Sequence, residues 1–155
     1  MSDNCDIKQR WSDVDRLLKR WLAARQDLIV QYCGLSGVQK LSPSSNNCAR
    51  LRKLCGLLVD YVSAGHFEVY HELLREGEAF DDGGAARATA ILARLQDSTA
   101  AALHFDEQYG EATSIVDAGL LAKDLSRLGE SMAARFELED RLVAILHQAH
   151  QARVA

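Results

Sequence analysis

Proline is nearly missing from this chain, with one in 155 residues. Folds made of many short strands need many turns, and turns draw on proline and glycine. The shortage therefore argues against a turn-rich all-β architecture and for a few long elements. Apolar runs of bilayer-spanning length are missing as well, which excludes a transmembrane helix. The opening MSDNCDIKQRW has no apolar signal core, so a cytoplasmic protein is expected. There is no excess of positive charge either. A formal net charge of −4 lacks the basic bias of a nucleic-acid binder and leaves room for a basic protein partner. The four cysteines, Cys5, Cys33, Cys48 and Cys55, form no C-x-x-C pair, so neither a zinc site nor a disulfide framework is expected, and small buried thiols are the simpler reading. No phosphate-binding glycine loop and no Ser/His/Asp or Cys/His set occurs. Enzyme activity, a cofactor and a metal are therefore not expected.

What the chain does have is helical periodicity. Trp11, Val14, Leu18, Trp21, Arg25, Leu28, Tyr32 and Leu35 recur at steps of three and four, the face of a helix over about 6–35. SGVQKLSPSSNN reads as a loop, in which Ser42-Pro43 can open the next helix, with Asn46 or Asn47 as a later cap. Leu51, Cys55, Leu58, Val62, Gly65, Val69 and Leu73 mark a second helix over about 46–78. Their phase does not slip at Ser63-Ala64-Gly65, so that stretch reads as helix rather than turn. After the break at FDDGG, a third face runs over about 85–109 through Ala88, Ile91, Leu92, Leu95, Ser98, Ala102, Phe105 and Tyr109, with Gly110 as a stop. Ser114-x-x-Asp117 resembles a capping box. It precedes a fourth face over about 118–150, made of Leu121, Leu125, Leu128, Met132, Arg135, Glu139, Leu142 and Leu146. The expectation is an all-α single domain over 1–155, an antiparallel up-down four-helix bundle with long helices. A monomer is favoured.

Alternating four such helices brings their midpoints to one level. Those midpoints hold Arg25, Gly65-His66, Ser98-Thr99, and Arg135 with Glu139 one turn apart. Buried charge persists only when paired, so a network of Arg25, His66, Arg135, Glu139 and Asp140 is expected in the bundle centre. It would either fix helix register or line a ligand cavity. Glu68-x-x-His71 matches half of a di-iron bundle motif, but the second copy is missing.

The outer side of the second helix is unusual. Lys53, Gly56, Asp60, Ser63, Ala64, Phe67, His71 and Leu74 put small residues and an aromatic where an ordinary bundle helix carries charge. Such a patch reads as an interaction surface, or as a surface packed under a loop or tail. Glu68, Glu72, Glu76 and Glu78 follow it, an acidic flank that would steer a basic partner.

RWL at Arg20–Leu22, LVDYVSAGHFEVY at Leu58–Tyr70 and ARFELEDRL at Ala134–Leu142 resemble the Rsd/AlgQ family of bacterial anti-sigma regulators over nearly the whole chain. The second-helix wording and the tail LHQAH at Leu146–His150 lie nearest the AlgQ branch, regulators of alginate production. The resemblance implies a helical bundle without catalysis. Its implied partner is the primary sigma factor of RNA polymerase, bound at the C-terminal region 4 in competition with promoter and core-polymerase contacts. It further implies sigma contacts at Asp60, Ser63 and Phe67, with Ala64, His71 and Leu74 on the same patch. A different reading remains beside it. A bundle with an exposed histidine is also similar to phosphorelay or phosphotransferase-linked domains, although no lysine follows His66 closely.

Overall fold

A computed structural model describes residues 2–36 and 45–154; the expected Ser42-Pro43 helix opening lies outside the described residues. Among these, regular structure is entirely helical. Four long columns pack together: α1 (Ser2–Ser36); α2 (Ser45–Ala64) continued by a π-helical turn (Gly65–Val69) into α3 (Tyr70–Phe80); α4 (Gly84–Arg94) with α5 (Gln96–Tyr109); and α6 (Ala118–Leu146). A 3₁₀ turn (Gln148–His150) and the short α7 (Gln151–Val154) follow α6. None of these helices is long and apolar enough to cross a membrane.

Cross-column contacts set the directions. Trp11 near the start of α1 donates its indole N–H to the His147 carbonyl just past α6, while Tyr32 near the end of α1 donates to the Leu125 carbonyl near the start of α6. These two columns therefore run antiparallel. Tyr109 at the end of α5 likewise pairs with Asp124 near the start of α6. The interior is one leucine-rich cluster fed by all four columns, including Leu18, Leu28, Leu51, Leu58, Leu73, Leu121 and Leu142. Each buried leucine contributes about 1.5–3 kcal/mol relative to exposure.

The helix ends follow local chemistry. Asp81 and Gly83 take left-handed backbone after α3, with φ of 48° and 83°, which ends the column where FDDGG stands. At the start of α6 the cap is Asp117, whose side chain accepts from the Leu120 amide at 3.0 Å. Ser114 is not the cap. Asn46 and Asn47 lie inside α2 rather than at its cap, because the helix already begins at Ser45. Of the cysteines, Cys48 and Cys55 are buried, but Cys5 and Cys33 are exposed; both exposed thiols lie on α1, off its buried face.

Two columns depart from straight α-helix. The expected third helix is broken at Leu95 into α4 and α5. The Leu95 amide donates to the Leu92 carbonyl, three residues back, and the Leu95 carbonyl accepts not only the Thr99 amide at 3.1 Å but also the hydroxyls of Ser98 (2.8 Å) and Thr99 (3.2 Å) and the Arg135 guanidinium at 3.4 Å. Side chains that bond nearby carbonyls compete with the helical ladder. In the second column the chain stays helical through Gly65, yet the turn widens there. The Tyr70 amide donates to the Gly65 carbonyl, five residues back. Gly65 lies directly beside the Tyr70 ring and Trp21, where a Cβ would sit 3.2–3.4 Å from their atoms.

Candidate functional site

The bundle centre is polar and closed. Glu139 is fully buried on α6. One of its carboxylate oxygens accepts from the Tyr61 hydroxyl at 2.6 Å and from Arg25 at 3.3 Å. The other accepts from Arg135 at 3.2 Å and from the Tyr70 hydroxyl. Arg25 reaches further, to Tyr61 at 2.9 Å and Asp140 at 2.7 Å. Arg135, also without solvent exposure, spends its remaining donors on Ser98, Thr99 and Tyr70 at 2.8–2.9 Å. Its guanidinium is thus tied to α3, α5 and its own helix. Among the described residues no buried side-chain nitrogen or oxygen lacks a hydrogen-bond partner. Burial pushes the Glu139 carboxyl upward, against the opposing pull of Arg135, the two tyrosines and Arg25. Burial likewise raises the Tyr61 and Tyr70 hydroxyls, so both remain proton donors to Glu139.

Arg25, Arg135, Glu139 and Asp140 therefore meet in one network, and His66 does not. His66 is exposed, with its ring edge-on to Phe67 at 4.9 Å. His66 lies in the π-turn, whose extra residue leaves both Val69 and Tyr70 buried, so Tyr70 rather than His66 enters the network. The aromatic partners Tyr61 and Tyr70 were not anticipated from sequence. Both adjoin positions of the apolar face, where a hydroxyl at the bundle midpoint is the only clue.

The outer surface is organised by the same turn. Phe67 is 78% exposed, the most exposed aromatic among the described residues' large hydrophobics. It stands on a ridge between two depressions. On the α1 side, Asp60, Ala64 and Glu68 line a groove of about 340 Å³ together with Leu17, Arg20 and Ala24. On the other side, His66, His71 and Leu74 line a cleft of about 650 Å³ against Leu92, Leu95 and Leu103. Ser63 is half-buried and Asp60 exposed on the same helical column. The single stripe expected from sequence is therefore divided: Asp60 and Ala64 flank Phe67 on one side, His71 and Leu74 on the other. The acidic flank also shrinks, because Glu76 is fully buried and faces inward toward His147 and His150.

The site is thus a closed polar centre behind an exposed aromatic ridge on an all-helical bundle. The family model described as Regulator of RNA polymerase sigma(70) subunit, Rsd/AlgQ, covers residues 1–147. A Regulator of sigma D from Yersinia pseudotuberculosis serotype O:1b (strain IP 31758) is 32% identical over 149 residues, 94% of this chain and 88% of that protein. A Regulator of sigma D from Shigella boydii serotype 4 (strain Sb227) is 35% identical over 144 residues, 91% of this chain and 90% of that protein. The chain belongs to the Rsd/AlgQ family of non-enzymatic regulators of the sigma(70) subunit.

Proposed function

We propose that this protein is an anti-sigma factor that binds region 4 of the primary sigma factor through the ridge centred on Phe67. Region 4 is a basic helix-turn-helix that reads the −35 promoter element and docks on the core polymerase. Covering it removes both contacts by competition and mass action alone. The observation that carries the reading is the Phe67 ring, 78% exposed beside small neighbours. Aromatic side chains, phenylalanine included, are enriched at protein interfaces relative to the rest of the surface.

Around that anchor, the exposed Asp60 carboxylate accepts a hydrogen bond or ion pair from a sigma lysine or arginine. Ser63 and Ala64 keep the helix surface low enough for close approach. His71 and Leu74 extend the contact along the cleft on the far side of the ridge. Arg25, Arg135 and Glu139 hold the columns in place beneath. The test is calorimetric titration of purified sigma region 4 into the wild-type protein, Phe67→Ala and Asp60→Ala. Weakened binding by both folded variants supports the surface. Wild-type affinity in both would rule it out.

A further inference from the structure

The C-terminal end of the bundle carries a second buried charge cluster, apart from the Phe67 ridge. α6 ends at Leu146, and the chain turns at His147 (φ −131°, ψ −60°). His147 and His150 then point back into the bundle, 2% and 0% exposed. Glu76 of α3, itself fully buried, lies between them. The His147 ring faces Glu76 through Nδ1 at 2.8 Å and Asp15 of α1 through Nε2 at 3.0 Å. The His150 ring faces Glu76 through Nδ1 at 3.4 Å and Asp82, between α3 and α4, through Nε2 at 2.8 Å. Trp11 stacks on His147 with centroids 4.4 Å apart, and Phe80 stacks on His150 at 3.9 Å.

Every ring nitrogen in this cluster faces a carboxylate oxygen. An ionised carboxylate only accepts, and a neutral imidazole has one nitrogen that also only accepts. With Glu76 and Asp15 both ionised, a neutral His147 would set a lone pair against one of them, with no proton between them. The doubly protonated ring satisfies both. Its position just past the C-terminus of a 29-residue helix favours the same charge through the helix dipole.

We propose that His147, His150, Glu76, Asp15 and Asp82 form a proton-dependent clasp, which fastens the C-terminal segment 147–154 to α1 and α3 and loosens when His147 loses its proton. Charged groups face it from each neighbouring element. α1 contributes Asp15, which also pairs with Lys19 at 3.0 Å. α3 contributes Glu76, and the turn after it contributes Asp82. The tail adds Arg153, whose guanidinium lies 4.8 Å over the Phe80 ring and donates to the Phe80 carbonyl at 3.4 Å. Neither Lys19 nor Arg153 replaces the proton between His147 and Glu76.

The direction with pH follows from the neighbours. Burial works against a charged His147, but the hydrogen bonds to Glu76 and Asp15 outweigh it and hold the ring above the ordinary histidine range. A raised folded value means the stabilisation is complete below the unfolded value of about 6.5 and is lost as pH rises through the folded value. At the other limit, hydrogen bonds from His147 and His150 hold Asp15 and Asp82 below the ordinary carboxylate range. That contribution is present above the unfolded carboxylate value and is lost as pH falls through the lowered values. The clasp is thus tightest in mildly acidic solution and opens toward alkaline pH.

The experiment is NMR on the full-length ¹⁵N-labelled protein from pH 5.5 to 8.5. It reads the ring nitrogens of His147 and the heteronuclear NOE of amides 148–154. The expected result is a doubly protonated His147 at pH 6 and a titration midpoint above that of a free histidine, with tail amides losing rigidity along the same curve. In Glu76→Gln the midpoint falls by about one pH unit or more, as expected on removing an opposite charge in contact. Asp15→Asn, at a partly exposed position, makes the same comparison if Glu76→Gln does not fold. A singly protonated His147 at pH 6, or a tail whose rigidity ignores the His147 titration, would overturn the proposal.

Discussion

At the scale of the residue, Phe67 and Glu139 mark opposite uses of one helical bundle. Phe67 contributes nothing to the core, because 78% of its surface is in water. Its replacement by alanine is expected to leave the urea midpoint within error while weakening region 4 binding about 10- to 100-fold, the loss associated with an interface anchor. Glu139 is the reverse. It is the shared acceptor for Tyr61, Tyr70, Arg25 and Arg135, so Glu139→Ala strands two buried guanidinium contacts at once. Breaking one partner of a buried ion pair costs about 3–5 kcal/mol, and chemical denaturation should show a loss of that size. Glu139→Gln keeps the shape and some acceptors, and should fall between the two.

At the scale of the element, the π-turn at Gly65–Val69 determines which side chains are inside and which form the ridge. At Gly65 the Tyr70 ring and Trp21 close against the backbone, 3.2–3.4 Å from where a Cβ would stand. Alanine in a helix normally gains ~1 kcal/mol over glycine, but here the added methyl meets a Tyr70 ring pinned by Glu139 and Arg135. Overpacking costs about 1–3 kcal/mol. Gly65→Ala is therefore expected to lower thermal stability rather than raise it, against the usual propensity rule. A second element-level expectation concerns α6. Asp117→Ala removes the acceptor for the Leu120 amide and should cost about 1 kcal/mol in denaturant unfolding. Ser114→Ala, outside the cap, should cost little by the same measurement.

For the whole molecule, the acidic balance is expected to act on the rate of partner capture. The chain carries a formal net charge of −4, with Asp60 and Glu68 beside the ridge. Attraction of a basic partner is screened by salt, and charge complementarity acts mainly on the association rate. Raising ionic strength from about 0.05 to 0.5 M should slow association with region 4 by roughly tenfold, with dissociation changing far less. Stopped-flow fluorescence separates the two rates. Equal salt effects on both would place the charges inside the contact rather than around it.

The residues explain how far a linear reading reaches. Helical periodicity is a local property, so the four inward faces were legible position by position, down to Arg135 and Glu139 interrupting a leucine seam. The exposed Phe67 followed from the same phase count, and the quoted motifs carried the family. Three features were not legible, because each depends on atoms distant in sequence. At the break, the Leu95 carbonyl is met by the guanidinium of Arg135, forty residues on. The use of Tyr70 rather than His66 goes with the π-turn, where Gly65 lies against Trp21 and against the Tyr70 ring that Glu139 holds. The clasp requires Asp15, Glu76, Asp82, His147 and His150 to meet, although Glu76 reads in sequence as one of several surface acids. Composition and period by themselves determined the helices and their buried faces, since each residue's hydrophobic preference acts locally. Only tertiary packing decided which buried charges find partners, because a paired and an unpaired charge look the same until the helices close around them.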